Sequence, residues 1–170
     1  MQPTPHVPGF FASTRARPWL APVGRGENPP RAAHFDLRPC DRDFVAMCVA
    51  YRDSGGVARG SELASRMDGQ DGHGDARLAR LIVSGEIFSF EWSDCVWVPM
   101  FQLDAVNLTP ASAAGQVRAK LSADFDGWSL AVWFARPNPW LCERRPVDLL
   151  ASALPLVLQA ARFDRHVAVG

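Results

Sequence analysis

The side chains that could carry acid–base, metal or nucleophilic chemistry are few, and they form no recognised motif. The four histidines are His6, His34, His73 and His166, and none lies within a catalytic signature. Asp71, His73 and Asp75 could share a metal ion, but the glycines around them favour a solvated loop. The Ser-Gly-Gly sequence at residues 54–56 is too short to hold a phosphate, and neither Gly-Lys-Ser/Thr nor Gly-x-Ser-x-Gly occurs. The sequence therefore predicts no catalytic residue, cofactor or metal site, and it favours a binding protein over an enzyme.

The four cysteines are expected to be free thiols rather than zinc ligands or a redox pair. Cys40, Cys48, Cys95 and Cys142 lack the close spacing that either function needs. The N-terminus has no charged region followed by an apolar one, so we expect a reducing compartment. No window approaches the roughly 20 apolar residues of a membrane helix. These features predict a cytoplasmic protein without a membrane partner.

Charge and length limit the possible partners and the number of domains. The chain has 170 residues, which suffice for one compact domain or two very small ones. Its 18 basic and 18 acidic side chains cancel, and Lys120 is the only lysine. A protein that binds a phosphate backbone usually carries a basic excess. The overall composition therefore gives little support to nucleic-acid binding.

Residues 1–40 differ from the rest of the chain in composition. They contain eight prolines, which oppose regular helix, and five arginines against two acidic residues. This pattern predicts a disordered Pro/Arg-rich arm. Such an arm could touch nucleic acid, although a solvated tail is the more economical interpretation.

Residues 41–102 follow the order of a winged helix-turn-helix module. Apolar residues at helical spacing predict three short helices, and a two-residue turn between aromatic strands predicts one β-hairpin. The predicted elements are helices at 41–52, 61–67 and 75–84, strands at 87–92 and 96–98, and a turn at Ser93-Asp94.

Residues 110–170 are helical in pattern and predict a second, all-helical module. The apolar run 128–134 must be buried, and its tryptophan and phenylalanine side chains could alternatively supply a dimer interface. Pro146 suits the first turn of a helix, and a final amphipathic helix is expected to end near Arg165. The chain as a whole is therefore predicted to be mainly α, and the two modules could share one core.

The most informative segment is WFARPNPWL at residues 133–141, followed by RPVDLL at 145–150. It resembles the W-x-x-x-P-N-x-x-L…R/T-P-x-D-L-L signature of the Xre/MbcA/ParS-type antitoxin toxin-binding domain. Residues 99–102 (PMFQ) likewise resemble a P-x-F-Q element of that family, and the resemblance spans roughly residues 78 to 165. One departure is that residues 142–144 (CER) stand where the family commonly has glycine. The matching motif residues are Trp133, Pro137, Asn138, Leu141, Pro146, Asp148, Leu149 and Leu150.

The resemblance implies an antitoxin that binds and neutralises a RES-type, NAD-degrading toxin encoded nearby by occluding its active site. In such complexes the C-terminal end approaches the toxin's cleft, and a homodimer is the common arrangement. The implied partner-binding residues are Arg162, Asp164, Arg165, His166, Val167 and Val169.

Two alternatives to this function remain open, a DNA-binding regulator and an orphan paralogue without a toxin. Arg77 and Arg80 are the best DNA-binding candidates. However, residues 57–102 hold four basic and seven acidic side chains, a net charge of minus three. A surface of that sign offers few phosphate contacts.

Overall fold

The computed structural model describes residues 41–68 and 72–169, and the arm predicted for residues 1–40 lies outside them. The described part is mainly helical, which confirms the predicted class, and it contains a small three-stranded antiparallel sheet. In chain order its elements are α1 (Asp41–Ala50), β1 (Val57–Arg59), α2 (Gly60–Met67), α3 (Gly74–Val83), β2 (Phe90–Trp92), β3 (Cys95–Pro99), α4 (Ser112–Leu121), α5 (Gly127–Ala135), α6 (Pro146–Leu149) and α7 (Leu154–Val169). Short 3-10 helices occur at Arg52–Ser54, Met100–Gln102 and Pro139–Leu141.

The predicted hairpin forms around its predicted turn. Ser93 and Asp94 both have positive φ angles, 49° and 56°. Two such residues in succession make the type I′ turn, whose twist matches that of the flanking strands. The first strand is shorter than predicted because Phe88 bonds to a side chain instead of a strand. Its N–H donates to Oε1 of Gln102 at 2.9 Å, and its carbonyl accepts from Nε2 of Gln102 at 2.7 Å.

A third strand, β1, was not predicted from the sequence. It pairs antiparallel with β3, so the strand order in the sheet is β1-β3-β2. Gly55 and Gly56 precede it with φ angles of 97° and 76°, a left-handed turn that most other residues avoid. Three residues are too few to show a period-two pattern, so only these glycines marked the turn into the strand.

Two hydrophobic clusters hold the described part together. The smaller one includes residues of α2 and α3 with Val98 of β3. The larger one unites α1, β2 and the helices α4 to α7. Tyr51, which directly follows α1, is fully buried there, and its hydroxyl donates to the carbonyl of Ala131 in α5 at 2.5 Å. The ranges 41–102 and 110–170 therefore contribute to one common core.

Helix α5 is the centre of the larger cluster. Its N-cap is Asp126, which accepts the N–H of Ser129 at 2.7 Å. Gly127 allows the start of the helix to lie against the carbonyl of Ser89, where a Cβ atom would overlap. Phe134 is fully buried and stacks on Phe88 with ring centroids 5.9 Å apart. Because Phe134 is buried in the core, this side chain is not available for a dimer interface.

Two helices differ from their predicted ends. Helix α1 ends at Ala50 instead of Arg52, and α7 continues past Arg165 to Val169. Within the described ranges, no helix is both long enough and apolar enough to cross a bilayer.

Candidate protein-binding site

One carboxylate, that of Asp164, connects the C-terminal helix α7 to the turn that follows α5. Oδ2 of Asp164 accepts from Nε1 of Trp133 at 2.7 Å and from Nδ2 of Asn138 at 2.6 Å. Its Oδ1 accepts from Nε1 of Trp140 at 3.1 Å. Charged acceptors make stronger hydrogen bonds than neutral ones. Trp133, Asn138, Trp140 and Asp164, here called the Asp164 network, therefore lock α7 in place.

The turn that follows α5 is stabilised by Asn138. Its Oδ1 accepts the N–H of Trp140 at 2.9 Å and so caps the 3-10 helix that follows. Its backbone N–H donates to the carbonyl of Arg144 at 3.0 Å, and its carbonyl accepts the N–H of Glu143 at 3.1 Å. Leu141 is buried beneath the turn. A buried amide must satisfy its polar atoms, and these bonds do so.

The bend after Leu141 is left-handed although it contains no glycine. Cys142 and Glu143 have φ angles of 53° and 60°. Glycine adopts this conformation without steric cost, whereas other residues are strained by about 1–2 kcal/mol each. Cys142 and Glu143 therefore occupy positions where the backbone itself favours glycine.

The second half of the motif joins α6 to the end of α1. Pro146 is the first residue of α6, as predicted. The Arg145 guanidinium forms a bidentate pair with Asp148, with nitrogen–oxygen distances of 2.7 and 2.9 Å. Its Nη1 also donates to the carbonyl of Ala50 at 2.7 Å. The hydrogen bonds that the Arg145 guanidinium donates to the Asp148 carboxylate raise the pKa of Arg145. Leu149 is buried and Leu150 is half-buried, so this half of the motif is framework.

One side of α7 and the adjacent turn exposes large apolar side chains. Leu156, Phe163 and Val167 recur at helical spacing and are 56%, 40% and 44% exposed. The Trp140 ring is 55% exposed and lies 4.7 Å from the Phe163 ring, centroid to centroid. We call Trp140, Leu156, Phe163 and Val167 the α7 apolar stripe. Trp140 was not singled out as a site residue, although its position beside Asn138 was a usable signal.

The neighbouring side of α7 is basic. Arg162, Arg165 and His166 are exposed, and together with Lys120 of α4 they line an open groove of about 520 Å³. Nε of Arg165 lies 3.1 Å from Oδ2 of Asp124. Of the residues implied by the resemblance, Asp164 is thus used inside the molecule, while Arg162, Arg165, His166 and Val167 face outward. Val169 ends α7, and its side chain lies outside the described part.

The two candidate DNA-binding residues differ in their surroundings. Nη2 of Arg77 donates to the carbonyls of Asn107 and Leu108 at 3.2 and 3.4 Å, so Arg77 holds the loop that follows β3 and its 3-10 helix. Asp104 stabilises the same loop by accepting the N–H groups of residues 106 and 107, and these bonds lower the pKa of Asp104. Arg80 is exposed on α3.

Reactive chemistry is sparse in the described part. There, no three His, Cys, Asp or Glu side chains lie close enough to hold a metal ion. Burial raises the pKa of the Cys48 thiol, which makes it a poorer nucleophile. Cys142 is the exposed thiol of the described part, whereas Cys48 and Cys95 are half-buried.

No protein-family model matches the chain, and no curated protein or solved structure is significantly similar to it. The class that the fold and the site define is therefore a small, mainly helical protein with an apolar and basic helix surface.

Proposed function

We propose that the chain is an antitoxin-type protein that binds a partner enzyme and neutralises it by covering its active site. The observation that carries this proposal is the exposed ring pair formed by Phe163 of α7 and Trp140 of the adjacent turn, which the Asp164 network connects to each other. Aromatic residues and arginine are enriched in protein interfaces and dominate their binding energy. Contiguous exposed apolar residues rimmed by polar ones are uncommon on proteins without such a partner.

The hydrogen bonds that hold α7 in place also support the proposal. A surface that is already ordered loses less conformational entropy when it binds. The Asp164 network connects α7 to α5 through Trp133 and to the following turn through Asn138. In this proposal the motif residues act as the frame, and the α7 apolar stripe with its basic neighbours makes the contacts.

The kind of partner follows from the charges beside the stripe. Arg162 and His166 lie next to Phe163 on α7 and favour a partner with an apolar patch bordered by carboxylates. Two copies of α7 in contact would bring these basic side chains together, so a homodimer would use another surface. The resemblance of residues 133–150 to the Xre/MbcA/ParS-type domain supplies the partner class, a RES-type toxin that degrades NAD. Since NAD-degrading toxins act in the cytoplasm, the proposal places the chain there, without catalysis of its own.

Co-expression with the product of the adjacent gene tests the proposal. We expect that product to inhibit growth when expressed alone, and the chain to restore growth and to co-elute with it. The double variant Phe163→Ser/Val167→Ser should lose both effects. Val83→Ser is the control, because Val83 is 88% exposed on α3 and does not belong to the α7 apolar stripe. Equal rescue by both variants would count against the α7 apolar stripe.

A second candidate function, DNA binding, is favoured by one observation. The element order α1-β1-α2-α3-β2-β3 and the strand order β1-β3-β2 resemble those of winged-helix domains, and on that resemblance α3 would be the helix that enters the major groove. The acidic balance of residues 57–102 and the use of Arg77 within the molecule weigh against it. A gel shift with the chain's own promoter tests it, since Arg80→Ala should weaken a salt-sensitive complex.

A further inference from the structure

The Trp140 side chain is exposed, yet its polar atom already has a partner within the chain. The residue is 55% exposed, and its Nε1 donates to Oδ1 of Asp164 at 3.1 Å. Its backbone N–H donates to Oδ1 of Asn138 at 2.9 Å. The ring also lies against that of Phe163, with the centroids 4.7 Å apart and the planes tilted by 32°. These contacts orient the indole before any partner binds.

The hydrogen bond to Asp164 limits the kind of cavity that suits this ring. An indole N–H that becomes buried at an interface needs an acceptor, and a donor left without one costs binding free energy. For Trp140 the chain itself supplies the acceptor. The side chain therefore offers a partner its aromatic ring alone, without a donor that the partner would have to satisfy.

Asp164 also restricts where the partner can carry its own charges. Its two oxygens accept three hydrogen bonds from within the chain. A partner carboxylate beside the Trp140 indole would meet this like charge, and the repulsion grows as water is excluded. Arg162 and His166 are exposed on α7 and would attract a carboxylate instead. The partner's acidic groups are therefore favoured on the basic side of α7 and disfavoured around Trp140.

We propose that Trp140 is the anchor of the interface and enters an apolar cavity of the partner that contains no hydrogen-bond acceptor for the indole. Because Trp140 belongs to the α7 apolar stripe, this inference rests on the proposed function and adds the chemistry of the partner's cavity. Tryptophan is enriched among the few residues that dominate interface energies. A ring that is already oriented loses less conformational freedom on binding.

Calorimetric titration of the adjacent gene product with the purified full chain tests this role through two substitutions at one position. Trp140→Ala and Trp140→Phe remove the same hydrogen bond to Asp164, so the difference between them reports the ring alone. We expect Trp140→Ala to weaken binding by about 30-fold or more and Trp140→Phe by at most about fivefold. The control Val83→Ser should bind like the parent chain. Thermal unfolding of each variant verifies that it is folded.

The free chain tests the hydrogen bond without any partner. In an NMR spectrum of the nitrogen-labelled chain, the Nε1–H of Trp140 should exchange with solvent more slowly than the N–H of free tryptophan. Equally fast exchange would mean that the donor is still available to a partner, and the acceptor-free cavity would be wrong.

The binding outcomes separate the role of Trp140 from the proposed function. No complex with the parent chain contradicts both. A complex that Trp140→Ala leaves unchanged contradicts only the anchor. Equal weakening by Trp140→Phe and Trp140→Ala contradicts only the acceptor-free cavity, because the partner would then require the indole N–H. Self-association of the chain that Trp140→Ala abolishes would make a second copy the occupant and would also overturn the proposal.

Discussion

Replacing the Asp164 carboxylate should destabilise the protein far more than its half-exposed position suggests. The carboxylate accepts from Trp133, Asn138 and Trp140, and the first two are buried, with 8% and 5% exposure. In Asp164→Ala, both buried donors lose their acceptor, at about 1–3 kcal/mol each. We therefore expect the free energy of unfolding to fall by about 4 kcal/mol.

The isosteric variant Asp164→Asn separates charge from shape. Its amide oxygen can still accept from Trp133 and Asn138, but as a neutral acceptor, and its NH₂ group faces the Trp140 indole. A loss of about 2 kcal/mol is expected. The matched control is Asp124→Asn, which removes an exposed ion pair with Arg165 and should cost at most about 0.5 kcal/mol.

Denaturant unfolding followed by tryptophan fluorescence measures all three variants, because Trp133 and Trp140 both contact the carboxylate. The midpoint and slope give the free energy of unfolding. If Asp164→Ala loses no more stability than Asp124→Asn, the Asp164 carboxylate does not hold α7 in place, and the expected role of the Asp164 network is wrong.

Three other perturbations follow from the fold. Tyr51 is the only tyrosine of the chain, and burial raises its pKa well above 10. The free energy of unfolding should therefore hold below about pH 10 and fall as the pH rises further, which phenolate absorbance checks. The variant Tyr51→Phe should flatten this decline while costing about 1 kcal/mol of stability. Glu143→Gly should relieve the left-handed bend and gain about 0.5–1 kcal/mol, whereas Glu62→Gly in α2 should lose about 1 kcal/mol in the same unfolding assay. Gly127→Ala should cost about 1–3 kcal/mol by overlap with the carbonyl that precedes β2, whereas Gly115→Ala in α4 has space and should raise the melting temperature.

Local patterns were sufficient to predict most helices and the hairpin. The Ser93-Asp94 turn between aromatic residues specified the hairpin, and Pro146 specified the start of α6. The strand β1 was missed because three residues carry no periodic signal. The true start of β2 was missed because the Gln102 side chain, 14 residues away, satisfies the backbone of Phe88.

The site was predicted only in part, since its central contacts are distant in sequence. Trp133 and Asn138 were identified as motif residues, and both donate to one carboxylate. Their acceptor, Asp164, lies 31 and 26 residues further along the chain, and the resemblance implied a partner-binding role for it instead. Which surface of α7 faces outward depends on how α4 and the turn pack against it, and no pattern within α7 determines that.

The most direct test of the central claim is binding of the purified chain to the purified product of the adjacent gene. Calorimetry should show a saturable complex with the parent chain and with Val83→Ser. Binding should weaken by at least about tenfold with Phe163→Ser/Val167→Ser. No complex with the parent chain, or equal affinity for both variants, would contradict the claim that the α7 apolar stripe binds a protein partner.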